Sequence, residues 1–235
     1  MQKTFKAIRH GDIDTVREIL LVNPDEINAV AKQPPKKDDG QSLLQVALKT
    51  GQLDIAELLL DFNANVNYIE PEECCNEWRI PVLHDAIRCA IMNCRWNSKD
   101  YFTKEYEVHS TKEKADKAFL VLKRMLELGA DITAKDSFGN STLERAILDA
   151  CQLLPTYNYS EKTVADNRLI TDELRNDFSR IFNLLYEYGA SNQWIDRITG
   201  KPIIERHKDD PISEFLKVTN SSASKKTIFS KFFKK

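Results

Sequence analysis

Apolar residues recur along the chain in short helical runs that stop abruptly at small or polar residues. "AELLLDFNANVN" (56–67), "KRMLELGADITAKD" (123–136) and "NLLYEYGASNQWID" (183–196) are variants of one phrase. Spacing at i, i+3 and i+4 predicts an amphipathic helix ahead of each stop. The apolar positions are Ile55, Leu58 and Leu59 in one copy and Phe119, Leu122, Met125 and Leu126 in the next. In the last they are Phe178, Ile181, Phe182 and Leu185. Gly129 and Gly189 fall just past a helix, where a left-handed cap has no room for most side chains, and Asn63 holds the same slot.

A second phrase recurs as "GQSLLQVAL" (40–48), "RIPVLHDAI" (79–87), "GNSTLERAI" (139–147) and "GKPIIERHK" (200–208). Its anchors are Leu44, Leu83, Leu143 and Ile204, followed three residues on by Ala47, Ala86, Ala146 and, imperfectly, His207. A partial copy, "FKAIRHGDIDTVREIL" (5–20), puts Ala7 in the alanine slot. Each unit therefore reads as a short helix, a Gly-containing turn, a second helix and a turn. The alanine permits close approach of helices. One such unit cannot bury its own apolar face, so copies must stack to make a core.

This pattern resembles the ankyrin-repeat family. Its Thr-Pro-Leu-His-x-Ala phrase survives best in "PVLHDA" (81–86), and "LELGADITAKDSFGNSTL" (126–143) follows the family from helix end through a finger loop into the next repeat. The resemblance implies an all-α solenoid of about five helix-turn-helix units with finger loops. The units run at about 1–36, 37–76, 77–135, 136–196 and 197–216, ahead of a polar linker and tail at 217–235. Two units depart from the family. Gly40 to Asn63 spans 23 residues, but Arg79 to Gly129 and Gly139 to Gly189 each span 50, which leaves 27 extra residues between the two helices of each unit. The extra residues, roughly 91–117 and 151–177, are expected to form structured loops side by side. "STKE" (110–113) reads as a capping box for the helix that follows, and Thr171 as a cap in the next unit.

Charge narrows the function. Lys plus Arg is 34 and Asp plus Glu 36, a net charge of -2, which makes no whole-chain case for nucleic acid. There is no apolar run long enough to span a membrane and no signal-peptide core near the start. Five cysteines, two of them adjacent, do not read as a disulfide framework, so free thiols in a cytoplasmic setting are expected.

Chemistry-bearing groupings are sparse. His84, Cys89 and Cys94 lack a second ligand pair, and no Gly-rich phosphate loop or paired nucleophile and base is present. "LERAI" (143–147) reads as a solvated Glu–Arg pair. No catalytic residue, cofactor or metal is expected. The second finger, "YIEPEECCNEWRI" (68–80), is the richest segment: Glu70, Glu72, Glu73 and Glu77 lie between Tyr68 and Trp78. Four acids so close repel one another unless a partner neutralises them, so the finger reads either as a solvated loop or as a candidate site for a basic partner. Trp96, Tyr101 and Phe102 in the first insertion either pack on the lengthened helices or serve as candidate docking residues. The tail carries Lys225, Lys226, Ile228, Phe229, Lys231, Phe232 and Phe233. Its apolar stripe between lysines suits a cap on the array, a weak contact with an anionic membrane, or an acidic groove on a partner.

The resemblance implies non-catalytic binding of another protein through fingers and concave face. The alternatives are a regulator or secreted effector that blocks a target, acting in a host cytoplasm in the latter case, and an enzyme built on the insertions.

Overall fold

The computed structural model describes residues 2–75, 77, 79–196 and 198–217. Helices come in pairs: α1 (Gln2–His10) with α2 (Ile13–Val22), α3 (Leu43–Lys49) with α4 (Leu53–Asp61), α5 (Val82–Met92) with α6 (Lys112–Glu127), and α7 (Thr142–Ala150) with α8 (Asp172–Glu187). A short α9 (Ile203–Arg206) and a 3-10 turn at Pro211–Leu216 close the described chain. First helices pack side by side in the order α1, α3, α5, α7, and second helices form a parallel row, α2, α4, α6, α8.

The core lies between these rows and is continuous. Leu44, Leu83 and Leu143 are at most 1% exposed, as are Ala47, Ala86 and Ala146. The alanines let neighbouring inner helices close on one another. In the last unit the register weakens: Ile203 is buried and Ile204 only half-buried, because no further inner helix among the described residues covers that face. Asn63, Gly129 and Gly189 all take positive φ (60°, 90° and 107°) where a second helix stops.

Capping follows local chemistry. Ser42 with Gln45, and Ser141 with Glu144, make reciprocal capping boxes for α3 and α7. Thr171 caps α8 through Leu174 N, but the cap of α6 is Thr111, which accepts from Lys114 N. Ser110, expected in that role, turns away at φ 72° and donates to Asn93 O. "LERAI" is not a solvated pair. Glu144 closes the capping box, and Arg145 makes a two-pronged ion pair with the fully buried Asp149 at 2.8 and 2.6 Å.

The architecture is helical but not purely so. Between α5 and α6, β1 (Trp96–Lys99) pairs antiparallel with β2 (Tyr106–His109), and between α7 and α8, β3 (Tyr157–Asn158) pairs with β4 (Thr163–Val164). These strands of two to four residues lack an Asn-Gly turn, the strongest short-range hairpin signal. Tertiary contacts complete them. Asn97 donates to Leu169 O at 2.9 Å and accepts from Leu169 N at 2.8 Å, Lys99 N donates to Asn167 O, and Tyr106 Oη donates to Asp166 O. Arg95 anchors the base of the first hairpin on α8 through Asp177, which is 1% exposed.

Candidate interaction surface

Fingers run from each second helix to the next first helix. Bridges between Val30 and Ser42, Ile69 and Pro81, and Ile195 and Pro202 tie the two arms of three of them together at the base. In the third finger Asp136, 5% exposed, accepts from Phe138 N and Asn140 N at 2.9 Å each. Neighbouring fingers are also locked together. Tyr68 Oη donates to Gly40 O at 2.7 Å, Cys75 N donates to Asp39, and Ser137 Oγ donates to Glu77 O. A Cβ on Gly40 would stand 2.4 Å from Cys74 Cβ, so the close approach of the first two fingers requires glycine there. The result is a stiff row of loops facing the inner helices.

The acid cluster of the second finger is not one patch. Glu70 is 3% exposed and accepts from Gln41 Nε2 at 3.0 Å and Gln45 Nε2 at 3.3 Å. The same Gln45 amide donates to Asp85 Oδ2 at 2.9 Å. Burial, assisted by the nearby Glu70 charge, pushes the Asp85 carboxyl up to about 7, against the pull of Gln45, Lys49 and Arg88. Glu72 pairs with Arg79 at 2.5 Å, so it is neutralised within its own finger. Only Glu73 and Glu77 remain as exposed acids of the four without such a role. Glu70 and Glu72 are thus met within the protein, by inner-helix amides and a local arginine, which leaves Glu73 and Glu77 as the acids the finger presents. Tyr68 is half-buried, and burial raises its hydroxyl to about 12, so it acts as a strut between fingers. Trp78 and the tail residues from Lys225 to Phe233 lie outside the described residues.

The aromatics of the first insertion divide in the same way. Trp96 is half-buried, with His109 at 4.1 Å between ring centroids and the Arg168 guanidinium 5.5 Å above it. It holds the hairpin together. Tyr101 and Phe102 sit at the tip, 78% and 86% exposed, in an edge-to-face pair at 5.2 Å. Asp100 fixes the tip by accepting from Phe102 N and Thr103 N, and Lys104 lies 4.6 Å over the Tyr101 ring.

One feature of the inner helices escaped the sequence reading. Two residues past each aligned alanine stand Arg9, Lys49, Arg88 and Leu148. Arg9 Nε donates to Asp38 of the first finger at 2.6 Å, and Lys49 lies 3.5 Å from the other oxygen of the same carboxylate. This register therefore faces the fingers and lines the groove. The repeated Ala-Ile-Arg (7–9), Ala-Leu-Lys (47–49) and Ala-Ile-Arg (86–88) would have revealed it.

Reactive chemistry is muted. His84 is fully buried, its Nε2 lies 3.1 Å from Ala134 O, and burial lowers its pKa to about 4. Burial raises the Cys89 thiol to about 12 and raises Cys94 as well, which disfavours thiolates at both. Among the described residues no helix is long and apolar enough to cross a membrane.

No curated protein matches the chain. Residues 4–96 match a family model described as ankyrin repeats in three copies, a span that holds the interlocked first two fingers and the helices α1 to α5. The aligned leucines and alanines, the left-handed helix ends and the two stacked rows agree with that match, which supports reading residues 4–96 as ankyrin repeats.

Proposed function

We propose that this protein is a non-catalytic interaction module that grips a partner protein between its finger tips and the groove face of α1, α3, α5 and α7. Ankyrin repeats are generally protein–protein interaction modules. The carrying observation is the stiff, mutually bonded row of fingers, which presents exposed Glu73 and Glu77 beside the polar register of the inner helices. A preorganised surface loses little conformational entropy on binding. The two exposed acids favour a partner with a basic patch over this finger, and the module works in a reducing cytoplasm.

A narrower reading makes the protein a blocking regulator. The observation in its favour is the Tyr101–Phe102 tip, a rigid aromatic pair suited to filling a cavity on a target. Capture with immobilised full-length chain, followed by mass spectrometry, tests both readings. Proteins bound by the wild type should be lost to a Glu73→Lys/Glu77→Lys variant or to Phe102→Ala. Retention of the same proteins by every surface variant would refute the assigned surface. Stoichiometric silencing of a captured enzyme would select the blocking role.

A further inference from the structure

The register formed by Arg9, Lys49, Arg88 and Leu148 is closed at one end and open at the other. Asp38 lies between the first two cations and holds both, at 2.6 and 3.5 Å. Asp38 stands two residues before Gly40, which has a φ of 81°. The matching finger positions, two before Arg79 and Gly139 (φ 25° and 81°), are Glu77 and Ser137. Ser137 has no carboxylate, and its hydroxyl donates to Glu77 O at 2.6 Å. The Glu77 side chain is exposed and makes no ion pair among the described residues.

Arg88 is consequently exposed, with no hydrogen bond or ion pair among the described residues. Two carboxylates reach it through space only, and both are engaged elsewhere: Asp85 by Gln45 and Asp149 by Arg145. Next along the row, Leu148 is 44% exposed on a helix whose other apolar residues are buried.

We propose that Arg88 and Leu148 form a peptide-binding anchor that takes a partner segment carrying an acidic side chain followed by an apolar one. The acid meets the Arg88 guanidinium as Asp38 meets Arg9, and the apolar side chain covers Leu148. A planar guanidinium with five donors suits two-pronged capture of a carboxylate. Adjacent helices pack about 8–10 Å apart, and an extended chain advances about 3.3 Å per residue, so the two partner residues are spaced by about three positions. This anchor rests on the groove reading above and names the chemistry that the groove selects. It complements Glu73 and Glu77, which face a basic part of the same partner.

The test is selection of a random-peptide library on the wild-type chain, followed by anisotropy titration of the labelled peptides obtained. Selected sequences should carry Asp or Glu about three residues before Leu, Ile or Phe. Arg88→Glu and Leu148→Asp should each weaken their binding by about tenfold or more, while Arg17→Glu, on the exposed face of α2, should leave it unchanged. Changing the peptide's acid to Lys should restore binding to Arg88→Glu. Because Arg88 is exposed, Arg88→Lys gives a fold-neutral comparison, with intermediate affinity expected. Peptides that bind wild type and Arg88→Glu equally, or that carry no acid, overturn the anchor and leave the groove reading standing. Failure of any peptide to be enriched on the wild type overturns both.

Discussion

Replacing Asp177 by alanine is the most searching perturbation of how the first hairpin is held. Asp177 sits in the first half of α8 at 1% exposure, and its carboxylate serves two arginines from different elements. Arg95 reaches it with its backbone N at 3.1 Å, Nε at 2.9 Å and Nη2 at 2.7 Å, and Arg180 adds Nη2 at 3.1 Å. Alanine removes the acceptor and leaves Arg95 without its carboxylate beside Arg180, which keeps Asp116 at 2.6 Å. Breaking a buried pair by deleting one partner costs about 3–5 kcal/mol. The Arg95 and Arg180 side chains are 17% and 29% exposed, so water recovers part of the loss and the expected cost is at the lower end, about 3 kcal/mol. For a chain of this size that corresponds to a fall of about 6–12 °C in thermal midpoint. The loss should also be local. Amide exchange should rise first in β1 and β2, then in 166–169, which bonds to Asn97, Lys99 and Tyr106. Asp177→Asn keeps the shape and one acceptor and should lose roughly half as much. A destabilisation under about 1 kcal/mol, or a uniform rise in exchange that spares no element, would refute the assignment of Asp177 as the hairpin's anchor.

Leu83→Ala, at a site 1% exposed between neighbouring inner helices, should cost about 2–5 kcal/mol by urea titration, and a loss under about 1 kcal/mol would show that the site collapses around the gap. Charge reversal at Glu73 and Glu77 should slow association with a captured partner, and the effect should shrink at high salt; a rate independent of both changes would exclude the finger. Asp85 gives a pH signature. Its folded pKa, about 7, lies above the ordinary value of 3.8, so the folded state holds its proton more tightly and this group's contribution to stability falls as pH rises from about 4 to about 7. His84, lowered from 6.5 to about 4, acts oppositely, and its contribution is lost as pH falls from 6.5 to about 4. Stability of wild type minus that of Asp85→Asn should therefore decline across pH 4 to 7, and a flat difference would disprove the buried-acid account.

The repeat register and the helix ends could be read from residue order because both are local. Apolar spacing at i, i+3 and i+4 reports which face of a helix leaves water, and Leu44, Leu83 and Leu143 all lie in the core it implies. Positive φ at Asn63, Gly129 and Gly189 follows from which residues tolerate a left-handed helix end. The surface was less legible. Glu70 and Glu72 look alike in sequence, but Glu70 is buried by an amide 25 positions away and Glu72 meets an arginine seven positions on. Trp96 packs inward while Tyr101 and Phe102 stay exposed, a division made by Arg168, across the neighbouring insertion. The short strands likewise owe their order to partners about 70 residues distant. Arg88 differs from Arg9 only because the finger opposite Arg9 carries Asp38, whereas Ser137 and an outward-facing Glu77 take the matching places around Arg88. A side chain's neighbours along the chain set its conformational preference, but whether its charge is met depends on which distant groups the stack brings within hydrogen-bond reach.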